Sequence, residues 1–200
     1  SFRQLLAGLN GERLGLTIFS GQAITVFPLT DDYEFVGSKL DEAESAFASG
    51  SFAYFIGAEA AGNRASLSGD GLMSCVQGIE ATRDDRARAV VLATDNDPVG
   101  KGIFVLREAA EQAVRDEVVV YAIGTPDMKP DRSAELAAAT ATTGGVMSVV
   151  QEDGTVDDLV RSIQQLERDR LRPVPTGVEV DDPAVPFGVA VAGFVVLLGA

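Results

Sequence analysis

Val90-Val91-Leu92-Ala93-Thr94-Asp95-Asn96-Asp97-Pro98-Val99-Gly100 (VVLATDNDPVG) is the stretch from which the fold can be read. Ala89 to Thr94 is a continuous apolar run of strand length, and it stops at two acids bracketing an asparagine. An uninterrupted apolar strand is expected where helices cover both faces of a parallel sheet. The acids then fall at the carboxyl end of the strand, which is where open α/β sheets bind ligands. Asp95 held there needs compensation from hydrogen bonds or a cation. Capping the following turn would serve it equally, because Asp, Asn, Pro and Gly all favour turns.

Downstream of this strand the pattern repeats. Phe104 to Arg115 reads as a helix rich in alanine and glutamate, and Val118 to Ile123 (VVVYAI) as a second apolar strand. Asp131 to Thr142 reads as a helix stopped by Gly144-Gly145. Val146 to Val150 is a third strand, followed by an amphipathic helix over Thr155 to Leu171 with Val156, Leu159, Val160, Ile163 and Leu166 on one stripe. Thr155 and Asp158 stand at capping-box separation.

Upstream, Asp70 to Ile79 has Leu72, Cys75, Val76 and Ile79 at helical spacing. Residues 48–68 carry no clean period and read as a loop. Thr30 to Phe47 reads as a helix with Phe35, Leu40, Ala43 and Phe47 on one face. Leu14 to Phe19 and Ala23 to Phe27, punctuated by Ser20-Gly21 and closed by Pro28, read as a hairpin. Strands alternating with helices predict an α/β fold: a doubly wound, mostly parallel, Rossmann-like sheet with one antiparallel edge strand from the hairpin.

Composition removes several function classes. The 200 residues hold 16 basic and 30 acidic side chains, a net charge of −14. Phosphate backbones are bound by basic faces, so nucleic acid is not an expected partner; a cation or a basic protein surface is. There is no histidine, which excludes histidine bases and Ser-His-Asp triads from this stretch of chain. Cys75 is the one cysteine, so no internal disulfide forms, and on the apolar face of its helix it reads as inert core. Gly57-Ala58-Glu59-Ala60-Ala61-Gly62 has only superficial phosphate-loop spacing, with no Lys-Ser/Thr pair to close it.

The chain changes character after residue 172. Residues 173–185 form a proline-rich linker, and from Pro183 to Ala200 only Asp, Glu, Lys and Arg-free apolar sequence follows. About 20 apolar residues span a bilayer. Residues 186–200 are therefore expected to begin a C-terminal transmembrane helix that anchors the chain in the cell membrane. Arg161, Arg168, Arg170 and Arg172 precede it and lean toward a cytoplasmic soluble domain.

Ser66-Leu67-Ser68-Gly69-Asp70-Gly71-Leu72, a hydroxyl-bearing loop leading into a helix, joins Thr94-Asp95 at a strand end. With the order of elements above, these motifs resemble the von Willebrand factor A (VWA) domain over residues 1–172. The resemblance implies a divalent cation at the carboxyl edge of the sheet, in a metal-ion-dependent adhesion site. It places Ser66 where the family has a loop threonine ligand and Asp95 where it has the fourth-strand aspartate. Asn96 stands where the family often has glycine, and tolerates the left-handed backbone such a turn uses. The family's first ligand segment, Asp-x-Ser-x-Ser, is not in these residues. Residues 1–10 read as the end of the helix that follows it, so that strand is expected upstream of Ser1, between the strands at 14–19 and 89–94.

Mg2+, or Mn2+ or Ca2+, suits such oxygen ligands, and a protein partner would complete the shell with a carboxylate. The resemblance extends to bacterial membrane-anchored VWA proteins of the aerotolerance (Bat) type, which implies a MoxR-type AAA+ ATPase as an associate and no catalytic activity. Two rivals remain at this level. One is a degenerate, metal-free VWA scaffold; the other is a metal-dependent hydrolase on a Rossmann-like sheet, with Asp95 as its acid or ligand. Among the other acids, Asp97 reads as solvent-facing or as an outer support of the site, Asp127 as a loop acid, and Asp70 as a helix-start acid favoured by the helix dipole.

Overall fold

The computed structural model describes residues 6, 9, 11–50, 67–80, 87–150, 160–162 and 164–165. All of them belong to one compact unit, Ser1–Arg170. The fold is mixed α/β. In chain order the described elements are β1 (Leu14–Phe19), β2 (Ala23–Thr30), α1 (Tyr33–Ser49), α2 (Ser68–Glu80), β3 (Arg88–Thr94), α3 (Leu106–Arg115), β4 (Val118–Gly124), α4 (Pro130–Thr142) and β5 (Met147–Val149).

β3, β4 and β5 form a parallel sheet with β4 in the middle. Seven consecutive pairs, from Arg88↔Val118 to Thr94↔Gly124, keep β3 and β4 in unbroken register. β1 and β2 form the expected antiparallel hairpin as a separate two-stranded sheet. Among the described residues no ladder joins the two sheets. α2 packs on β1, β2 and β3, and on its outer side against α3.

Two apolar cores result. The larger one gathers Leu72, Met73 and Val76 of α2, Val90 and Leu92 of β3, the small residues Ala109, Ala110 and Ala113 of α3, Val118 and Val120 of β4, and Leu136 of α4. The smaller one holds Phe27, Val36 and Leu40 between the hairpin and α1. Alanine on the buried face of α3 lets that helix approach α2 closely, which a larger side chain would prevent.

Three elements, β2, α1 and β3, differ from the sequence reading. β2 runs through Pro28 to Thr30. The proline is tolerated because β2 is an edge strand among the described residues and its pairing with β1 is irregular between Leu14 and Thr17. The buried face of α1 is Val36, Gly37, Leu40 and Ala43, whereas Phe35 and Phe47 are exposed. Asp32 caps α1 by accepting from Phe35 N–H at 2.9 Å, so the helix starts at Tyr33 and not at Thr30, and Leu40 and Ala43 lie on its buried face as expected. β3 is buried on the face carrying Val90 and Leu92, while Val91 is half-buried and Ala93 exposed, so it is not sealed on both faces.

Cys75 lies partly buried against the larger core. Burial pushes its thiol above the ordinary 9.0, against a hydrogen bond from the Thr17 side chain that lowers it. Less thiolate at neutral pH, together with poor access, predicts that iodoacetamide alkylates native Cys75 at least about tenfold more slowly than the chain in urea. Equal rates would show an accessible thiol. The sign for stability follows: the folded state favours the neutral thiol, so this contribution is complete below pH 9 and is lost as pH rises through the raised value.

The linker at 173–185, the apolar segment 186–200 and the glycine-rich stretch 57–62 lie outside the described residues, as do residues 155–159, 163 and 166–172. Within the expected last helix, Val160, Arg161, Ser162, Gln164 and Gln165 are helical. Tyr121 Oη donates to Ser162 O at 3.3 Å, which ties that helix to β4. No helix among the described residues is long and apolar enough to cross a membrane.

Candidate functional site

The carboxyl end of β3 is built from local hydroxyl and carboxylate contacts. Thr94, the last residue of the strand, accepts Asn96 N–H on its Oγ1 at 2.9 Å. Asn96 takes the left-handed conformation, with φ 48°, as its residue type allows. It is only 2% exposed, and its side-chain amide donates to Arg132 O at 3.0 Å and Glu135 Oε2 at 3.2 Å. The turn is thereby fastened to the first turns of α4. A buried amide with both partners in place is inexpensive, and removing either partner is not.

Asp95 stands on this turn with its side chain exposed. Its Oδ1 accepts Asp97 N–H at 3.2 Å, the turn-capping geometry that its sequence also suits. Asp97 makes an ion pair instead of facing water alone: Lys129 Nζ lies 3.0 and 2.9 Å from its two oxygens. Both side chains are well exposed, so the pair contributes about 0–1 kcal/mol and mainly orients the loop. Asp127 is an exposed loop acid, as its sequence position suggests.

The first turn of α2 reaches the same edge. Ser68 is 3% exposed, and its Oγ lies 3.1 Å from Thr94 Oγ1. Leu67 N–H donates to Ser20 O at 3.1 Å, just past the end of β1. Residues 67 and 68 thus run between the carboxyl ends of β1 and β3. Ser66 itself lies outside the described residues, so its hydroxyl is not placed relative to Asp95.

Asp70 does more than a helix-start acid is expected to do. Its two carboxylate oxygens accept Ile103 N–H at 3.1 Å and Phe104 N–H at 2.7 Å. This pins the loop between β3 and α3 to the start of α2. Gly69 makes the approach possible, since a Cβ there would sit 2.3 Å from Phe104 O. Asp70 stands in the first turn of α2 as its sequence position suggests, and its bonds to the loop ahead of α3 are what sequence reasoning missed. The one signal available was Gly69 and Gly71 inside a helical pattern, where glycine needs a packing reason.

Chemically, the edge offers hard oxygen donors: one exposed carboxylate and neighbouring hydroxyls. Such a set suits Mg2+ or Ca2+ and not zinc. Among the described residues there is no group of three acidic, cysteine or histidine side chains placed to hold a metal.

In fold the chain is similar to an aerotolerance-related membrane protein from Bacteroides fragilis, at 16% identity and a TM-score of 0.59, over 83% of this chain and 84% of that one. It is similar to protein BatB from Bacteroides thetaiotaomicron, at 16% identity and a TM-score of 0.57, over 84% and 85% of the two chains. Proximal thread matrix protein 1 from the mussel byssus shares the fold at 15% identity and a TM-score of 0.52, over 84% of this chain and 39% of its own. No protein-family model and no curated protein matches the sequence. At these identities the likeness is one of fold.

Proposed function

We propose that this chain is a membrane-tethered, VWA-type module that binds protein partners through a divalent cation at the carboxyl edge of its sheet. Asp95 would hold the ion directly or through water, and Ser66 would add a neutral oxygen. A strand carrying Asp-x-Ser-x-Ser would lie between β1 and β3 and supply the remaining ligands. With few acids on it, the ion stays electrophilic and accepts a carboxylate from the partner, with no reaction catalysed. A MoxR-type AAA+ ATPase is the proposed associate, and the apolar segment at 186–200 the proposed anchor, with the domain on the cytoplasmic side.

The observation that carries the reading is the meeting of Ser68 Oγ and Thr94 Oγ1 at 3.1 Å. It brings the start of α2 against the strand end that carries Asp95, which supports the reading. Likeness in fold to an aerotolerance-related membrane protein and to a BatB protein supports the membrane association.

A metal-free scaffold is the second reading, favoured by Asp95 Oδ1 accepting Asp97 N–H, which a purely capping acid would also do. Magnesium titration separates the two. On the cation-site reading, Mg2+ at 100 times its Kd raises the unfolding free energy by about 2.7 kcal/mol, and Asp95→Ala removes most of that gain. A protein carrying the Asp-x-Ser-x-Ser strand whose melting temperature ignores Mg2+ would leave the scaffold reading standing.

A further inference from the structure

Residues 98–105 lead from the Asp95 turn to α3, and they display aliphatic side chains where a monomer would hide them. Ile103 is 84% exposed, Val105 55% and Val99 50%. Scattered surface aliphatics are ordinary, but three within seven positions on a fixed backbone are not. The backbone is fixed by carboxylates. Asp70 takes the N–H groups of Ile103 and Phe104, and Glu108 Oε2 takes Val105 N–H at 3.1 Å. Phe104 packs against the larger core and fills the space beneath the loop. Ile103 and Val105 therefore have no inward position to fall back to.

The charge pattern singles out one kind of occupant. From Pro98 to Arg107 this strongly acidic chain has two cations and no acid. Arg107 is paired with Glu111. Lys101 is exposed, stands between Val99 and Ile103 in the chain, and makes no ion pair among the described residues. We propose that Val99, Lys101, Ile103 and Val105 are a docking surface for an acidic segment of a partner protein. A carboxylate on that segment meets the Lys101 ammonium, and apolar side chains flanking the acid cover the three aliphatics. An ammonium covered by a partner loses water, and an opposite charge offsets that cost. The surface adjoins the proposed cation site but does not depend on it, because Lys101 supplies the charge.

The test is fluorescence anisotropy with the full chain in EDTA. The probe is a fluorescein-labelled peptide, Gly-Leu-Ile-Asp-Leu-Ile-Gly, compared with one peptide that has Asn for Asp and one that has Ser for every Leu and Ile. The parent peptide is expected to bind about tenfold more tightly than either control. Lys101→Gln removes the preference for Asp over Asn, and Ile103→Ser removes the preference for apolar flanks. Both variants keep the melting temperature of the parent chain, since both side chains are exposed. Equal binding of the three peptides, or preferences unchanged in the variants, overturns the proposal. Repeating the series in Mg2+ with Asp95→Ala separates it from the cation site: a preference that survives EDTA and Asp95→Ala belongs to the loop, and one that needs both metal and Asp95 does not.

Discussion

Replacing Leu72 with alanine is expected to lower the unfolding free energy by about 3 kcal/mol. Leu72 is fully buried and lies in the larger core with Val76, Val90, Leu92 and Leu106. Its helix packs against two sheets and α3 together, so no single neighbour can move in to close the cavity without loosening another. That keeps the cost within the range of about 2–5 kcal/mol that leucine-to-alanine changes show in cores that close only in part. Urea denaturation reads it as a lower midpoint at unchanged slope. A loss below about 1 kcal/mol would mean that the surroundings of α2 collapse freely, which would contradict its position as the joint between the two sheets.

Gly69→Ala is the second large effect, and its sign is the informative part. In an exposed helix interior, glycine-to-alanine gains roughly 0.5–1 kcal/mol. At Gly69 the new methyl would sit 2.3 Å from Phe104 O, 2.7 Å from Val105 C and 2.9 Å from Leu106 N, all of them backbone atoms. Backbone cannot rotate aside, so the start of α2 must part from the loop ahead of α3, at a cost of about 1–3 kcal/mol. Parting them also stretches the Asp70 bonds to Ile103 and Phe104. The same change at Gly78, in the same helix, meets nothing within 4 Å. The pair should therefore shift the melting temperature in opposite directions, down for Gly69→Ala and up or unchanged for Gly78→Ala. Matching shifts would remove the close contact from the account.

Periodicity and apolar runs made most elements legible. β3 and β4 stand out because five or six apolar residues in a row, followed by Thr94-Asp95 or by Gly124, have few other uses in a chain of this kind. In α1 the burial of Leu40 and Ala43 was legible, whereas Phe47 is exposed and Phe35 is partly so, with its ring set edge-on against Phe27. Pro28 was read as a stop because nothing local reveals that β2 is an edge. The site was legible only in part. Asp95 could be found from its place at a strand end, and the left-handed turn at Asn96 from its residue type. Asp70 could not be tied to Ile103 and Phe104, more than thirty positions away, because hydrogen bonds between distant loops leave no spacing to read. The same holds for Lys129 with Asp97, and for Asn96 with the first turns of α4.

The buried Asn96 amide has a bearing on encounters at the crest. A turn clamped by the start of a helix cannot wander between conformers, so the carboxylate one residue earlier is aimed before anything arrives. The ordering entropy of that turn is settled during folding, and a visitor to this edge gives up none of its affinity to freeze it. Recognition there should consequently behave as the meeting of a preset surface with its counterpart, with selectivity fixed by shape and charge and not by how readily the loop can be persuaded to close.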